Sequence, residues 1–374
     1  MSVDATTSPV PHPGRRRRWP RVALALVVVL ALLAGLVATV PTLRMRALAA
    51  VTALDAIGVD VPRPMAAPAE PGRRTVAGVS GTWLSPDDDA PVVLLVPGAA
   101  PEGLDDPRIV RVAEALARSG RAVFLPELRV YDQQLVTDDV EDLVRMTTTL
   151  ADERGPVALV GASFGGSLGL LAAADERLGD EQLTLVAAFG AYVDLLGVVQ
   201  AGTTGTALVG EQALDWEPHP LADEVIREQL VALMPDEYRE GLVAVLDGER
   251  APEDLPAEAR AAYELATNDD PRRTRELATR IPERLQRRLA EVSPVTVADR
   301  IDTPVVAMHS TEDPTIPYSE LVRLGHAVPH AELLTLTAFS HVDLNLDGAG
   351  DWWAALGDLR VVWRFVAEIL AAQR

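Results

Sequence analysis

The stretch that most restricts what this chain can fold into is residues 156–166, Pro-Val-Ala-Leu-Val-Gly-Ala-Ser-Phe-Gly-Gly. Its apolar start reads as a short strand buried on both faces of a sheet. The run passes directly into Gly161-Ala162-Ser163-Phe164-Gly165, a G-x-S-x-G pattern, and then into a helix-compatible segment over 167–174. Glycines on either side of the serine remove Cβ atoms that would collide where the chain folds back. The turn can then lift the serine Oγ clear of the sheet. Five residues of this kind are common by chance, and the position between strand and helix is what gives them meaning. The alternative is a glycine-rich strand–helix connection with an incidental serine.

The flanking chain repeats the same rhythm. Residues 91–96, 122–125, 183–189, 304–308 and 331–336 read as strands, and 75–84, which alternates loosely, suits an early antiparallel one. Helical faces are expected over 107–118, 138–150, 318–327 and 352–373. Strand and helix alternating at this spacing imply right-handed crossovers and a largely parallel sheet. The rhythm breaks over about 197–292, where no long β-type run occurs. Helix-forming segments (221–234, 236–246, 257–266 and 272–290) take its place.

Three loops that follow strands carry chemistry-bearing residues: Ser163, then Asp313 in Asp-Pro-Thr-Ile-Pro, then His341 in Phe-Ser-His-Val-Asp. The elbow pattern and the order Ser…Asp…His resemble the α/β-hydrolase superfamily, from about residue 75 to the C-terminus. The resemblance implies a mostly parallel central sheet with helices on both faces and a helical cap inserted after the sixth strand, at about 197–292. It also implies roles. Ser163 would be the nucleophile, Asp313 the triad acid and His341 the base, with Asp194, after the sixth strand, as the alternative acid. The loop after residues 91–96 reads Pro97-Gly98-Ala99-Ala100, where family members usually carry His-Gly-x. The oxyanion-hole N–H groups would then come from Phe164 and Ala99, with Ala100 as the alternative to Ala99.

The chemistry accounts for these residue types. A serine hydroxyl attacks a carbonyl only when a base takes its proton, and an imidazole with an unperturbed pKa of about 6.5 can take and return it. The carboxylate fixes the imidazole tautomer and stabilises the imidazolium. His309 reads as structural or pocket-lining. His326 and His330 flank a helix end, His219 falls in the insertion and His12 precedes the apolar N-terminal segment. Serine at the elbow excludes the branches that place aspartate or cysteine there. The expected activity is that of a carboxylesterase or lipase working through an acyl-enzyme on a small-molecule or lipid-like ester. An acyltransferase acting on envelope alcohols is the alternative, followed by a thioesterase, a peptidase or a non-catalytic binding protein. No H-E-x-x-H, His/Asp cluster or phosphate-binding loop is visible, so no cofactor or metal is expected.

Composition bears on location and partners. Seven arginines (Arg15, Arg16, Arg17, Arg18, Arg21, Arg44 and Arg46) face a single acid, Asp4, within the first 46 residues, although the chain of 374 residues carries a net charge of −21. So acidic a body argues against nucleic acid as a partner. Residues 22–40 contain no charge, and nineteen residues of helix would span roughly 28 Å, close to the roughly 30 Å of a bilayer core. With Trp19 and the arginines on its N-terminal side, this segment is expected to be a single-pass anchor with a cytoplasmic N-terminus and an extracytoplasmic body. A cleaved signal peptide is the alternative, since Ala47-Leu48-Ala49 has an A-x-A form. The expected organisation is a basic N-terminus (1–21), the anchor (22–40), a juxtamembrane helix with a proline-rich tether (41–74) and the catalytic domain (75–374). Oligomeric state is not legible. With no cysteine in the chain, disulfides and thiolate chemistry are excluded.

Overall fold

A computed structural model describes residues 39–59, 70–98, 102–132, 137–210, 212–218, 231, 234–339 and 352–372. The chain divides into two compact units, Met1–Ala47 and Leu48–Arg374. Of the first, the described part is residues 39–47, where helix α1 (Pro41–Ala56) begins. Among the described residues no helix is long and apolar enough to cross a membrane. The expected anchor falls on residues 22–40, of which 22–38 lie outside the described set.

The second unit is built on an eight-stranded sheet. Strands β1 (Gly72–Val76), β2 (Val79–Leu84), β3 (Val92–Val96), β4 (Ala122–Pro126), β5 (Val157–Ala162) and β6 (Leu183–Phe189) form most of it. After a separate hairpin, β7 (Thr206–Val209) with β8 (Gln212–Asp215), the sheet is completed by β9 (Val305–Ser310) and β10 (Glu332–Leu336). The order is β1-β2-β4-β3-β5-β6-β9-β10. From β4 to β10 every pairing is parallel, and β1 and β2 are antiparallel. Every residue of β3 and β4 is buried, which is why these strands read as continuous apolar runs rather than alternating ones.

Helices α2 (Pro107–Arg118), α3 (Thr137–Arg154) and α4 (Phe164–Ala173) supply the crossovers between β3, β4, β5 and β6. Helix α2 starts at Pro107 because Asp106 caps it, accepting from Arg108 N at 2.8 Å, and because proline has no N–H to leave unsatisfied at the first turn. In α1, Ala49, Thr52 and Ala53 are buried along one face, and Asp55 Oδ2 meets Arg118 Nε of α2 at 2.7 Å. The C-terminal helix is joined to the end of α2 by Arg121 Nη2, which donates to Leu370 O at 2.6 Å.

The insertion after β6 holds α5 (Leu195–Thr204), the β7–β8 hairpin, α6 (Asp236–Leu246), α7 (Ala257–Ala266), α8 (Thr274–Ala278) and α9 (Glu283–Glu291). The chain then returns to the sheet and closes with α10 (Ser319–Ala327) and α11 (Trp352–Ala371).

Four features differ from expectation. The run 75–84 is two strands rather than one, because Ala77 (φ 49°) and Gly78 (φ 89°) both adopt left-handed backbone and turn the chain into a hairpin. Strand β1 therefore begins at Gly72, inside the segment expected to be tether. The insertion is not purely helical, since it carries the β7–β8 hairpin. The helix expected over 272–290 is two helices, with Pro282 preceding the second. The helix expected over 221–234 lies almost entirely outside the described residues.

Candidate active site

Register aligns the ends of the strands that lead toward the candidate residues along one edge of the sheet. Val96 pairs with Gly161, Ala162 with Phe189, Phe189 with Met308, and His309 with Thr335. The segments that follow these positions, Pro97-Gly98, Ser163, residues 190–194, residues 311–316 and residues 337–339, leave from the carboxyl ends of parallel strands. Parallel α/β sheets bind ligands at that edge.

Ser163 sits between β5 and α4 with φ 51° and ψ −127°. Positive φ at a residue other than glycine stores strain of order 1–3 kcal/mol and persists only where the surroundings enforce it. Here the Ser163 N–H donates to Phe189 O at 2.7 Å, and Ser163 O accepts from Gly166 N at 3.0 Å. The side chain makes no capping bond to the helix it precedes, so its Oγ is not used structurally in the way an N-cap serine is.

The neighbouring glycines are required by close approach. A Cβ on Gly161 would stand 2.5 Å from Gly165 O, and one on Gly98 would stand 2.6 Å from Ser163 Cβ. Gly98 therefore brings the loop after β3 directly over the serine. Phe164, as the first residue of α4, has an N–H with no intrahelical acceptor, and it points from the positive end of the helix dipole. Its ring packs edge-on against Tyr192 at 5.7 Å. The Tyr192 hydroxyl donates to Val292 O at 2.9 Å, and burial pushes that phenol's pKa upward.

Asp313 is 2 % exposed. Its Oδ1 accepts from the N–H groups of Thr315 and Ile316, both at 2.9 Å, and its carbonyl accepts from Trp216 Nε1 at 2.7 Å. His309 Nε2 lies 3.2 Å from Asp313 Oδ2 and 3.0 Å from Ile316 O. Both neighbours are acceptors, so Nε2 carries the proton and donates inward. His309 is thus buried beside the acid.

The remaining described histidines are elsewhere. His326 is exposed near the end of α10, and His330 Nε2 lies 3.2 Å from Thr303 O. His330 and Thr303 precede β10 and β9, which puts them at the opposite edge of the sheet from Ser163. His341, Ala99, His219 and His12 lie outside the described residues.

Asp194, the alternative acid, is occupied with cations: its Oδ2 lies 3.5 Å from Arg323 Nη1 and 3.6 Å from Arg275 Nη2. The backbone N–H groups of Val193 and Asp194 donate to buried Glu320 Oε2 at 2.8 and 2.7 Å. Desolvation pushes the Glu320 carboxyl above its ordinary pKa, opposed by Arg323. These contacts bind the segment after β6 to α10. Glu320 and Trp216 hold the site loops, and neither stood out in the sequence, because each contact depends on segments distant along the chain. A cleft of about 620 Å³ lies beside this network, lined by Leu196, Gln200, Leu208, Arg272, Arg275 and Arg323 among others. Among the described residues, neither Ser163 nor Asp313 lines it. Among the described residues no cluster of three or more His, Asp or Glu side chains could hold a metal ion.

A largely parallel sheet with a strained serine at a strand–helix turn, beside a glycine loop from the adjacent strand, defines a class of α/β enzymes. The comparison with protein families agrees: residues 93–355 match the model of the Alpha/beta hydrolase family, and the chain belongs to that family. No curated protein sequence matches it. Among solved structures, an acylaminoacyl peptidase in complex with a chloromethyl ketone aligns at 13 % identity and TM-score 0.48, covering 82 % of this chain and 41 % of that one. A Mycobacterium tuberculosis puromycin-hydrolyzing peptidase aligns at 17 % identity and TM-score 0.48, covering 83 % and 41 %. Est1E from Butyrivibrio proteoclasticus aligns at 16 % identity and TM-score 0.44, covering 81 % and 98 %. This chain therefore spans less than half the length of the two peptidases.

Proposed function

We propose that this protein is a serine hydrolase that cleaves carboxylic esters through an acyl-enzyme. Ser163 is the nucleophile, His341 the base and Asp313 the acid that orients it. The observation that carries the reading is the backbone of Ser163, held at φ 51° with its side chain outside the helix cap. Membership of the Alpha/beta hydrolase family supports it.

In this scheme His341 takes the Ser163 proton as Oγ attacks the ester carbonyl. The N–H groups of Phe164 and Ala99 stabilise the tetrahedral oxyanion, and each such donor is worth about 10²–10³ in rate. Collapse expels the alcohol, which receives the proton from His341. Water then enters by the same route, releasing the acid and restoring the serine. Asp313 is suited to its part because two backbone N–H groups already fix one of its oxygens.

The proposal includes an N-terminal anchor at residues 22–40 that holds the catalytic body at a membrane, which favours lipid-like esters over freely diffusing ones. It includes no nucleic-acid partner, since phosphate contacts require a basic surface and the chain is strongly acidic.

The test is a p-nitrophenyl ester series from acetate to palmitate, run beside amide substrates on the full chain. Wild type is expected to turn over esters, and Ser163→Ala and His341→Ala to lose at least about 10³-fold. Turnover that survives Ser163→Ala, or activity confined to amides, contradicts the proposal. Transfer to an added alcohol at the expense of hydrolysis would identify an acyltransferase instead.

A further inference from the structure

Asp358 lies in the second turn of α11 and is 2 % exposed. Its carboxylate is not paired with a cation in any contact seen among the described residues. It receives the backbone N–H of Thr337 at 3.0 Å on both oxygens, that of Ala338 at 2.7 Å and that of Phe339 at 3.1 Å. The Thr337 hydroxyl adds a fourth donor group at 3.2 Å. Three consecutive backbone N–H groups converging on one buried carboxylate form an anion nest, here filled by the protein's own side chain. Hydrogen bonds to an ionised acceptor are roughly twice as strong as neutral ones, so this is a firm grip on three residues of loop. A second pin acts on the same segment, since Ser310 Oγ at the end of β9 donates to Phe339 O. The gripped residues follow β10 directly, and Phe339 stands two positions before His341.

We infer that Asp358 is a positioning residue for the catalytic base: it fixes the backbone of residues 337–339, the exit of β10 from which the chain continues to His341. The inference rests on the proposed role of His341. A burial-only role would be met by any apolar residue at this helical position, which would avoid the cost of desolvating a carboxylate. What the carboxylate adds is orientation of the strand-to-loop exit. Misplacing a catalytic group by about 1 Å can cost on the order of 10²-fold in rate.

The test uses the full chain with a p-nitrophenyl ester, and kcat is expressed per serine titrated by a fluorophosphonate. Asp358→Asn keeps the shape but presents an NH₂ group to N–H donors, and is expected to lower kcat per titrated site about 10–100-fold with KM changed less than about twofold. Ser310→Ala, which leaves the carboxylate in place, is expected to shift kcat in the same direction by a smaller factor. Should Asp358→Asn only lower the fraction of titratable sites or the melting temperature, with kcat per site at the wild-type value, the residue is merely structural and the inference fails. His341→Ala run alongside separates the two readings. If that variant keeps wild-type kcat, the assignment of the base is wrong and this inference falls with it.

Discussion

At single residues, the geometry around Ser163 leaves no room for change. Gly98 is the sharpest case, because a methyl group there meets Ser163 Cβ at 2.6 Å and Ala162 O at 3.1 Å. Neither partner is the movable end of a flexible side chain. Gly98→Ala is therefore expected to displace the serine or the loop, lowering kcat about 10–100-fold and stability by about 1–3 kcal/mol. An ester assay and a denaturant melt on the same preparation check both. The turn at Ser163 was legible in the sequence because two glycines and an apolar strand announce a passage from strand to helix. The place of Asp313 in the loop after β9 was legible too, whereas its burial against His309 was not. The ring of His309 and the carboxylate meet across a turn whose path no periodicity describes. Asp358 was invisible for a different reason. An aspartate in a helix ordinarily reads as a solvated face, and only the tertiary placement of residues 337–339 turns it inward.

At the scale of elements, helices with proline at or before their first residue were read closely, as in α2 with Pro107, α6 after Pro235 and α7 after Pro256. Helix α5 was missed because Leu-Leu-Gly-Val-Val-Gln is apolar on most faces and buried, so it lacks an amphipathic period. The β7–β8 hairpin escaped notice because its strands are four residues long and partly exposed. That hairpin leads to Trp216, whose indole donates to Asp313 O and so couples the insertion to the acid's loop. Trp216→Phe removes only this bond, and kcat is expected to fall about 2–10-fold, in line with a net hydrogen bond of about 0.5–1.5 kcal/mol.

The cap of α2 carries a pH dependence. The hydrogen bond from the Arg108 side chain, opposed by desolvation, holds the Asp106 carboxyl below its ordinary value of 3.8. A carboxyl whose folded pKa lies under the unfolded one contributes stability above the unfolded value, and that contribution is lost as pH falls through the folded one. Asp106→Ala is expected to cost about 1 kcal/mol at pH 7 as a lost cap. The difference from wild type should narrow below about pH 4 in paired denaturation curves, and a constant difference down to pH 2 would contradict the assignment.

At the scale of the whole molecule, the distribution of charge and apolar length sets the expectations. A basic, apolar N-terminal region precedes a strongly acidic body, and the proposed membrane anchor rests on that pattern. Carbonate washing of membranes containing the full chain is expected to leave it in the pellet, while a chain lacking residues 1–40 is expected in the supernatant. Release of the full chain by carbonate would remove the anchor from the account. The largely parallel sheet and the edge from which the loops leave were legible because buried parallel strands and their crossovers have few alternatives. The cleft among α5, the hairpin and α8 was not, since it is brought together from segments distant along the chain.

If Ser163 is an activated nucleophile, a fluorophosphonate reacts with it in the full chain, and peptide mass spectrometry maps the adduct. One phosphonylated residue is expected, Ser163, absent from Ser163→Ala and formed far more slowly in His341→Ala. No adduct on the wild-type chain, or an adduct that persists in Ser163→Ala, would contradict it.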